Sequence, residues 1–420
     1  MSIIHRLAQW IAPFKPVDEK GWQRLAISLS MFVLGVTFAS WASRIPDVQH
    51  ALSLNDAQLG MALFAQPLGQ FPSMLAAPFL VKRFGARRLI LMAAIGMSLS
   101  LVGVAMVPSL MGLSIALFVM GGFNSFLNIA NNTQAVVVEK AYARSIMAKF
   151  HGCWSIGGVV GGFIGGLMAS FAVNTTLHFV VIVLLNFALL LFIRKHLIWD
   201  APKDVKSTVV HQEELQVAES LEIKTDPRIM RHAKLDIFLV FLGVVGFCSM
   251  LTEGTMYDWN SVYFVSVLHE QGLDARMGYL AAMIFMVLGR FIADGFINRF
   301  GETRVLEVSA SSMIAGLALM VGFPTFWSSV VGSALVGIGM ASVVPICYSL
   351  AGRSKHTSAS AAISLVSAIS FWGFLIGPPI IGMISQASSL SFAFTLVIVA
   401  PALILVLTPL LGRMKKKSVI

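Results

Sequence analysis

What this sequence has least of is charge. Only 12% of its 420 residues are Asp, Glu, Lys or Arg, against 57% hydrophobic, and its mean hydropathy is +0.82. No soluble interior is large enough to hide that much apolar surface, so the composition implies a polytopic helical membrane protein. Cysteine is nearly as scarce. Cys153, Cys248 and Cys347 each stand alone in an apolar run, which implies no disulfide framework and leaves them as small packing residues. The nine histidines show no metal-ligand spacing, and neither a Walker A loop nor a zincin motif is present. An ATP-driven pump and a hydrolase therefore gain no support, and the expectation is a non-enzyme without metal or cofactor.

Acids are also outnumbered, 20 against 30 basic residues. A net charge of +10 invites a nucleic-acid reading, but the positions of the charges argue otherwise. Twelve apolar segments lie near 25–43, 58–80, 88–107, 110–133, 150–171, 176–193, 236–258, 276–297, 305–323, 327–350, 359–384 and 389–411. Each approaches or exceeds the ~20 residues that cross a bilayer. When the intervening segments are assigned to alternating sides, 27 of the 30 basic residues fall on the side of the N-terminus; Arg44 and Arg276 fall on the other, and Arg290 lies within a span. By the positive-inside rule both termini of a multi-pass membrane protein are expected in the cytoplasm. The basic balance records topology, with no nucleic-acid partner implied.

No cleavable signal peptide is evident, since the first apolar run begins near residue 25 and is long enough to span. Within the cytoplasmic N-terminus, 1–24, residues Ile3, Leu7, Trp10, Ile11 and Phe14 share a helical face, compatible with an interfacial helix or with a disordered start. The polar segment 196–234, rich in both signs of charge, separates six spans (25–195) from six more (235–412) and reads as a solvated cytoplasmic linker. A basic tail, 413–420, follows.

The two halves repeat one another. Trp41 corresponds to Trp259, both opening Trp-x-Ser; "RFGARR" from Arg83 corresponds to "RFGETR" from Arg299; Trp154 corresponds to Trp372; Gly122 and Ser125 correspond to Gly339 and Ser342. All these offsets fall between 216 and 218 residues. The expected fold is an all-α membrane protein of twelve transmembrane helices in two pseudo-symmetric six-helix bundles. Such repeats let secondary transporters rock two halves around a midplane site.

The loop "VKRFGARRL", its echo "INRFGETRV" and the glycine run "GGVVGGFIGG" resemble the major facilitator superfamily. The departure is Lys82 and Asn298 where the family carries an aspartate before the Arg. "LNIANNTQAVVVE", "FHGCWSIGG" and "EGTMYDW" further resemble a bacterial branch related to the fucose permease, much of it without assigned substrates. The resemblance implies that the fourth span lines a central cavity. It also implies that Asn128 stands where the sugar permease has a glutamate and that Asn132 matches that permease's asparagine.

In the fourth span Asn124, Asn128, Asn131 and Asn132 share one helical face. Amides in hydrocarbon need partners, and four on one stripe exceed what packing asks, so a cavity-lining, substrate-binding role is expected over interhelical bonding alone. Gln66 and Gln70, a turn apart in the second span, suit a cavity wall or packing equally. Trp154 and Trp372 could stack on a solute or simply pack. His151, at the start of the fifth span, reads more readily as an interfacial histidine than as a titrating one. Arg290 and Asp294 lie one turn apart in the eighth span and are expected to pair. By resemblance they join Arg83, Arg87 and Arg299 in an inner gate. The six glycines between Gly157 and Gly166 are explained by close helix contact.

"LTEGTMYDWNSVYF", from Leu251, carries two acids in a seventh span. Counted from the inner end of that span, Glu253 falls at a depth where a carboxylate is a functional candidate by default, and it is the expected coupling residue. Asp258, beside Trp259, falls at the outer mouth; with Arg44, Asp47, Trp41 and Trp259 it forms an expected outer gate, Asp258 being a candidate partner of Arg44. The reading favoured is a monomeric transporter of a small polar solute, coupled to protons and working by alternating access. An exporter of amphiphilic compounds and a non-transporting membrane sensor are the alternatives.

Overall fold

The computed structural model describes residues 18–142, 146–198, 237–354, 357 and 359–418. The N-terminal face at residues 3–14 and nearly all of the linker lie outside these, as does the end of the basic tail. Every regular element among the described residues is a helix. The first half contains α1 (Glu19–Ala51), α2 (Asp56–Phe84), α3 (Ala86–Met106), α4 (Leu110–Tyr142), α5 (Met147–Ser170) and α6 (Thr175–His196). The second contains α7 (Ile237–Asp258) continued by α8 (Asn260–Ser266), α9 (Met277–Phe300), α10 (Glu302–Gly322), α11 (Phe326–Met340) continued by α12 (Val343–Ala351), α13 (Ala359–Ala387), and α14 (Leu390–Val397) continued by α15 (Val399–Ser418). These make twelve antiparallel rods. Among the described residues, eleven helical segments are long and apolar enough to cross a membrane. The remaining rod, α2, has 29 residues and is diluted by Gln66, Gln70 and three prolines.

Short polar signals start the rods. Asp18, Asn55, Asn174 and Ser389 each accept a hydrogen bond from the backbone of the first helical turn, and Asn55 with Gln58 forms a reciprocal capping box. The repeated RFG motif stops a rod in each half the same way. Gly85 ends α2 at φ 80° and Gly301 ends α9 at φ 79°, a region that a side chain enters at a cost. The chain turns there within one residue and begins the next helix. In the second half, spans 7, 10 and 12 are interrupted, at Trp259, at Ala341–Ser342 and at Ile398. Nothing in the hydrophobic pattern marks these breaks.

The rods of each half pack mainly on one another: α1 on α5, α6 and α4, and α2 and α3 on α4; α7 on α13 and α15, and α11 on α9 and α10. The halves meet chiefly where α2 faces α13 and α5 faces α9. The glycine run of α5 packs on α1 within its own half and on α9 across the halves because it has two stripes. A Cβ on Gly157 would lie 2.5 Å from the Phe32 carbonyl of α1, and one on Gly161 2.5 Å from the Val36 carbonyl. On the adjacent stripe, a Cβ on Gly158 would lie 2.6 Å from the tip of Met283, and one on Gly162 2.8 Å from the Tyr279 ring, both on α9. Lipid offers no hydrophobic drive between helices, so such close backbone contact supplies much of the packing energy. Gly161→Val must push against backbone and is expected to cost about 1–3 kcal/mol. Gly158→Ala meets only a flexible methionine tip. In detergent melts the first should lower Tm clearly and the second should leave it near wild type.

The bundle has two ends. The termini end holds residue 18, the linker boundaries at 198 and 237, and residue 418. The distal end holds the turns near 52–55, 107–109, 171–174, 267–276, 323–325 and 388–389.

Candidate functional site

Glu253 is a buried carboxylate of the spans. It is 9% exposed and sits sixteen residues along α7, about 24 Å from the termini end. Its Oε1 accepts a 2.7 Å hydrogen bond from Tyr257, one turn further on. Arg290 of α9 brings its Nη2 to 3.9 Å from the same oxygen, an ion pair too long to be a hydrogen bond. The Tyr257 ring lies parallel to Phe374 of α13 at 6.3 Å and edge-on to Phe38 of α1 at 5.7 Å. Its hydroxyl also contacts the Met286 sulfur of α9 at 3.5 Å. Aromatic rings from both halves thus converge on the group that holds the acid.

Arg290 therefore pairs across two helices, a contact the on-helix spacing with Asp294 did not suggest. Asp294 lies in α9, its side chain outside the described residues. The Arg290 charge also lies within electrostatic range of His151 on α5. Sequence reasoning had put Glu253 and Arg290 in separate functions, coupling and gate, yet the fold sets them together.

The amide stripe of α4 divides. Asn131 is fully buried and its Oδ1 accepts a 2.6 Å hydrogen bond from Ser30 of α1, so it joins helices. Asn124, Asn128 and Asn132 are half-buried, and Asn132 donates to Asn128 at 3.1 Å. On α2, Gln66 is 4% exposed with its Nε2 unpartnered, and Gln70 is half-buried. Trp154 is half-buried, and its backbone carbonyl lies against Gly35. Trp372 is 56% exposed.

At the distal end a clasp joins the halves. Arg276, 2% exposed, donates from Nε to the Ser43 carbonyl at 2.8 Å and from Nη1 to the Gly272 carbonyl at 3.0 Å, and it is ion-paired with Asp47. Arg44, 3% exposed, lies 3.3 Å from Asp47 and donates to the Val173 carbonyl at 2.7 Å and to Thr175 at 3.2 Å. Arg44 thus takes Asp47, its neighbour one turn along α1, instead of Asp258. Asp258 is half-buried and has no carboxylate-to-cation contact among the described residues. Ser170 accepts from the Leu273 amide at 2.7 Å, and Ser385 donates to Asp56; both ties also cross between halves. Trp41 and Trp259 are fully buried, and among the described residues their indole N–H groups have no hydrogen-bond partner. Sequence reasoning missed Arg276 as a site residue. The signal was available: with Arg44 it is one of two basic residues on the distal side.

At the termini end Arg83 and Arg299 each lie over the ring of the next residue, Phe84 at 5.6 Å and Phe300 at 5.3 Å, repeating the motif's symmetry. Arg87 donates to the Arg194 carbonyl. Glu302, absent from the sequence-based candidates, holds Arg353 at 2.6 Å and Lys415 at 2.7 Å and so ties together the ends of spans 9, 10 and 12.

Twelve rods in two like halves, with an ion pair deep in the second half and a polar clasp joining the halves at one end, define a membrane transporter of the two-bundle kind. The chain belongs to the Major Facilitator Superfamily, whose family model matches residues 25–355 and 256–418. It is 32% identical to an uncharacterized MFS-type transporter of Yersinia pestis, over 89% of this chain and 91% of that one. It is 30% identical to the membrane protein MosC of Rhizobium meliloti, over 89% and 86%. Among solved structures, a point mutant of the nucleoside transporter NupG superposes with TM-score 0.73 at 14% identity, covering 94% of this chain and all of that one. A bacterial homolog of the human lysosomal transporter Spinster, inward-facing and unoccupied, gives 0.68 at 16%, covering 96% and 98%. At those identities the likeness is one of fold.

Proposed function

We propose that the protein moves a small polar solute across the bacterial inner membrane in symport with protons, by alternating access, as a monomer whose termini face the cytoplasm. The observation that carries this reading is Glu253, a carboxylate deep in a span and hydrogen-bonded by Tyr257 where aromatic groups of both halves converge. An acid at that depth is expensive to keep without a task, and no nucleotide-binding motif is present to supply energy otherwise. The half-buried amides Asn124, Asn128 and Asn132, with Gln70, would bind hydroxyl or amide groups of the solute, and Trp154 and Trp372 would cover its apolar face. The orientation rests on the bias of basic residues in the sequence, 27 of 30 in the segments assigned to the side of the N-terminus. In that orientation the Arg276–Asp47 clasp closes the outer side, and the cytoplasmic side is where the solute would leave. The polar stripe favours this over an exporter of amphiphiles, which would need an apolar cavity wall.

Uptake into proteoliposomes, screened over labelled sugars, sugar acids and lipophilic cations, tests the proposal. An inward proton gradient is expected to drive accumulation of one of the polar classes. Flux of lipophilic cations alone, or polar uptake indifferent to the gradient, contradicts it.

A further inference from the structure

Arg290 has more capacity than its surroundings use. Its side chain is 39% exposed at a position thirteen residues into α9, about 20 Å from the distal end. That exposure faces the space between halves, since the guanidinium is directed toward Glu253 of α7 and influences His151 of α5. A guanidinium carries five donors arranged to grip a carboxylate bidentately. Among the described residues, the contact Arg290 makes is the 3.9 Å approach to Glu253, which is not a hydrogen bond. Glu253 in turn has its near oxygen held by Tyr257 at 2.7 Å. The pair is close enough to balance charge and loose enough to be separated.

We propose that Arg290 anchors a carboxylate on the solute, so that the cargo is a small hydroxylated acid and its loading is tied to protonation of Glu253. This rests on the proton-symport reading above and narrows its substrate class. Among the described side chains, one guanidinium faces one carboxylate in the empty site, and their charges balance. An entering acid anion would leave two carboxylates for one guanidinium, which the interior of a span disfavours. A proton taken from solvent onto the Glu253 carboxylate restores neutrality. Arg290 turns to the solute, and Tyr257 stays hydrogen-bonded to the now neutral acid. Among the described residues, the titratable groups in direct range of the pair are Tyr257 on α7, Tyr279 on α9 and His151 on α5, with Asp258 beyond Tyr279. None of the three in direct range is an anion at neutral pH. One acid anion and one proton therefore cross together with no net charge, and hydroxyl groups of the cargo are left for the α4 amides.

The test compares solutes matched carbon for carbon: gluconate with glucitol, and glucuronate with glucose. Purified protein in proteoliposomes is expected to take up a labelled acid under an inward proton gradient at least ten-fold faster than its neutral partner, with no response to an imposed membrane potential. Arg290→Gln is expected to weaken binding of the acid by about 100-fold. Arg290→Lys, which keeps the charge and controls for folding, is expected to weaken it by no more than about ten-fold. Equal uptake of acid and neutral partner overturns the inference, as does uptake of neither acid, or acid binding unaffected by Arg290→Gln. Proton-driven uptake of a neutral sugar that survives Arg290→Gln would remove this inference and leave the symport reading standing. Acid uptake that ignores the proton gradient would remove the symport reading while leaving the Arg290 contact testable by binding.

Discussion

Glu253→Gln is expected to abolish accumulation of solute against its gradient while leaving exchange of internal for external solute intact. Glutamine has the shape of the acid, and its amide oxygen can still accept from the Tyr257 hydroxyl, 2.7 Å from Oε1 in the native protein. It cannot take or release a proton. A one-to-one symporter working across two pH units can concentrate solute about 100-fold, since each tenfold step corresponds to about 1.4 kcal/mol. The variant should reach no concentration ratio above one. Exchange needs the site to reorient loaded and does not need a proton to leave, so counterflow of label should persist. The substitution also leaves Arg290 without its counter-charge, and a lower Tm for the empty variant is the expected accompaniment.

The second large effect is expected at the distal clasp. Asp47 is the single carboxylate between two guanidiniums, Arg44 and Arg276, that are 3% and 2% exposed. With Asp47→Asn the two cations keep their carbonyl partners at Val173, Ser43 and Gly272 but lose the charge that made their burial tolerable. Removing one partner from a buried ion pair costs about 3–5 kcal/mol. Because Arg276 and Asp47 lie on opposite halves, that cost falls on the distally closed state. The closed-to-open ratio should drop by about two to four orders of magnitude. Spin labels at the exposed residues His50 and His269, placed in a background without Cys153, Cys248 and Cys347, report the distal opening by pulsed EPR. A shift of the distance distribution to longer values is expected for Asp47→Asn. An unchanged distribution would mean that helix packing alone, through Gly60, Gly382 and the α5–α9 stripe, holds the end shut.

Much of the architecture is legible because a bilayer imposes a simple rule. Apolar runs of span length, charges at one side and a constant repeat offset are enough to place twelve rods and two halves. The RFG glycines show how far this goes, since a motif repeated in the sequence becomes the same positive-φ turn in each half. Glycines of α5 were readable as contact residues, but that they form two stripes against different partners was not, because periodicity gives a face without naming the neighbour. The same limit explains the site. The Asn spacing puts four amides on one side of α4, yet only the fold shows Asn131 turned to Ser30. One-turn spacing suggested Asp294, whose side chain lies outside the described residues, for Arg290; the partner seen among the described residues is Glu253 on another helix. Arg44 is the converse case: its partner was the near neighbour Asp47, not the distant Asp258. The interruptions at Trp259, Ser342 and Ile398 left no trace in hydropathy, since a break of one or two residues changes direction without changing polarity.

The most direct test of the central claim is the internal pH of proteoliposomes while solute enters. With a pH-sensitive dye trapped inside and the membrane potential clamped, external addition of a pool of sugars and sugar acids should acidify the lumen in step with uptake of label. Glu253→Gln vesicles should show no such change. Entry of labelled solute into wild-type vesicles with no movement of internal pH would contradict proton symport and the role given to Glu253.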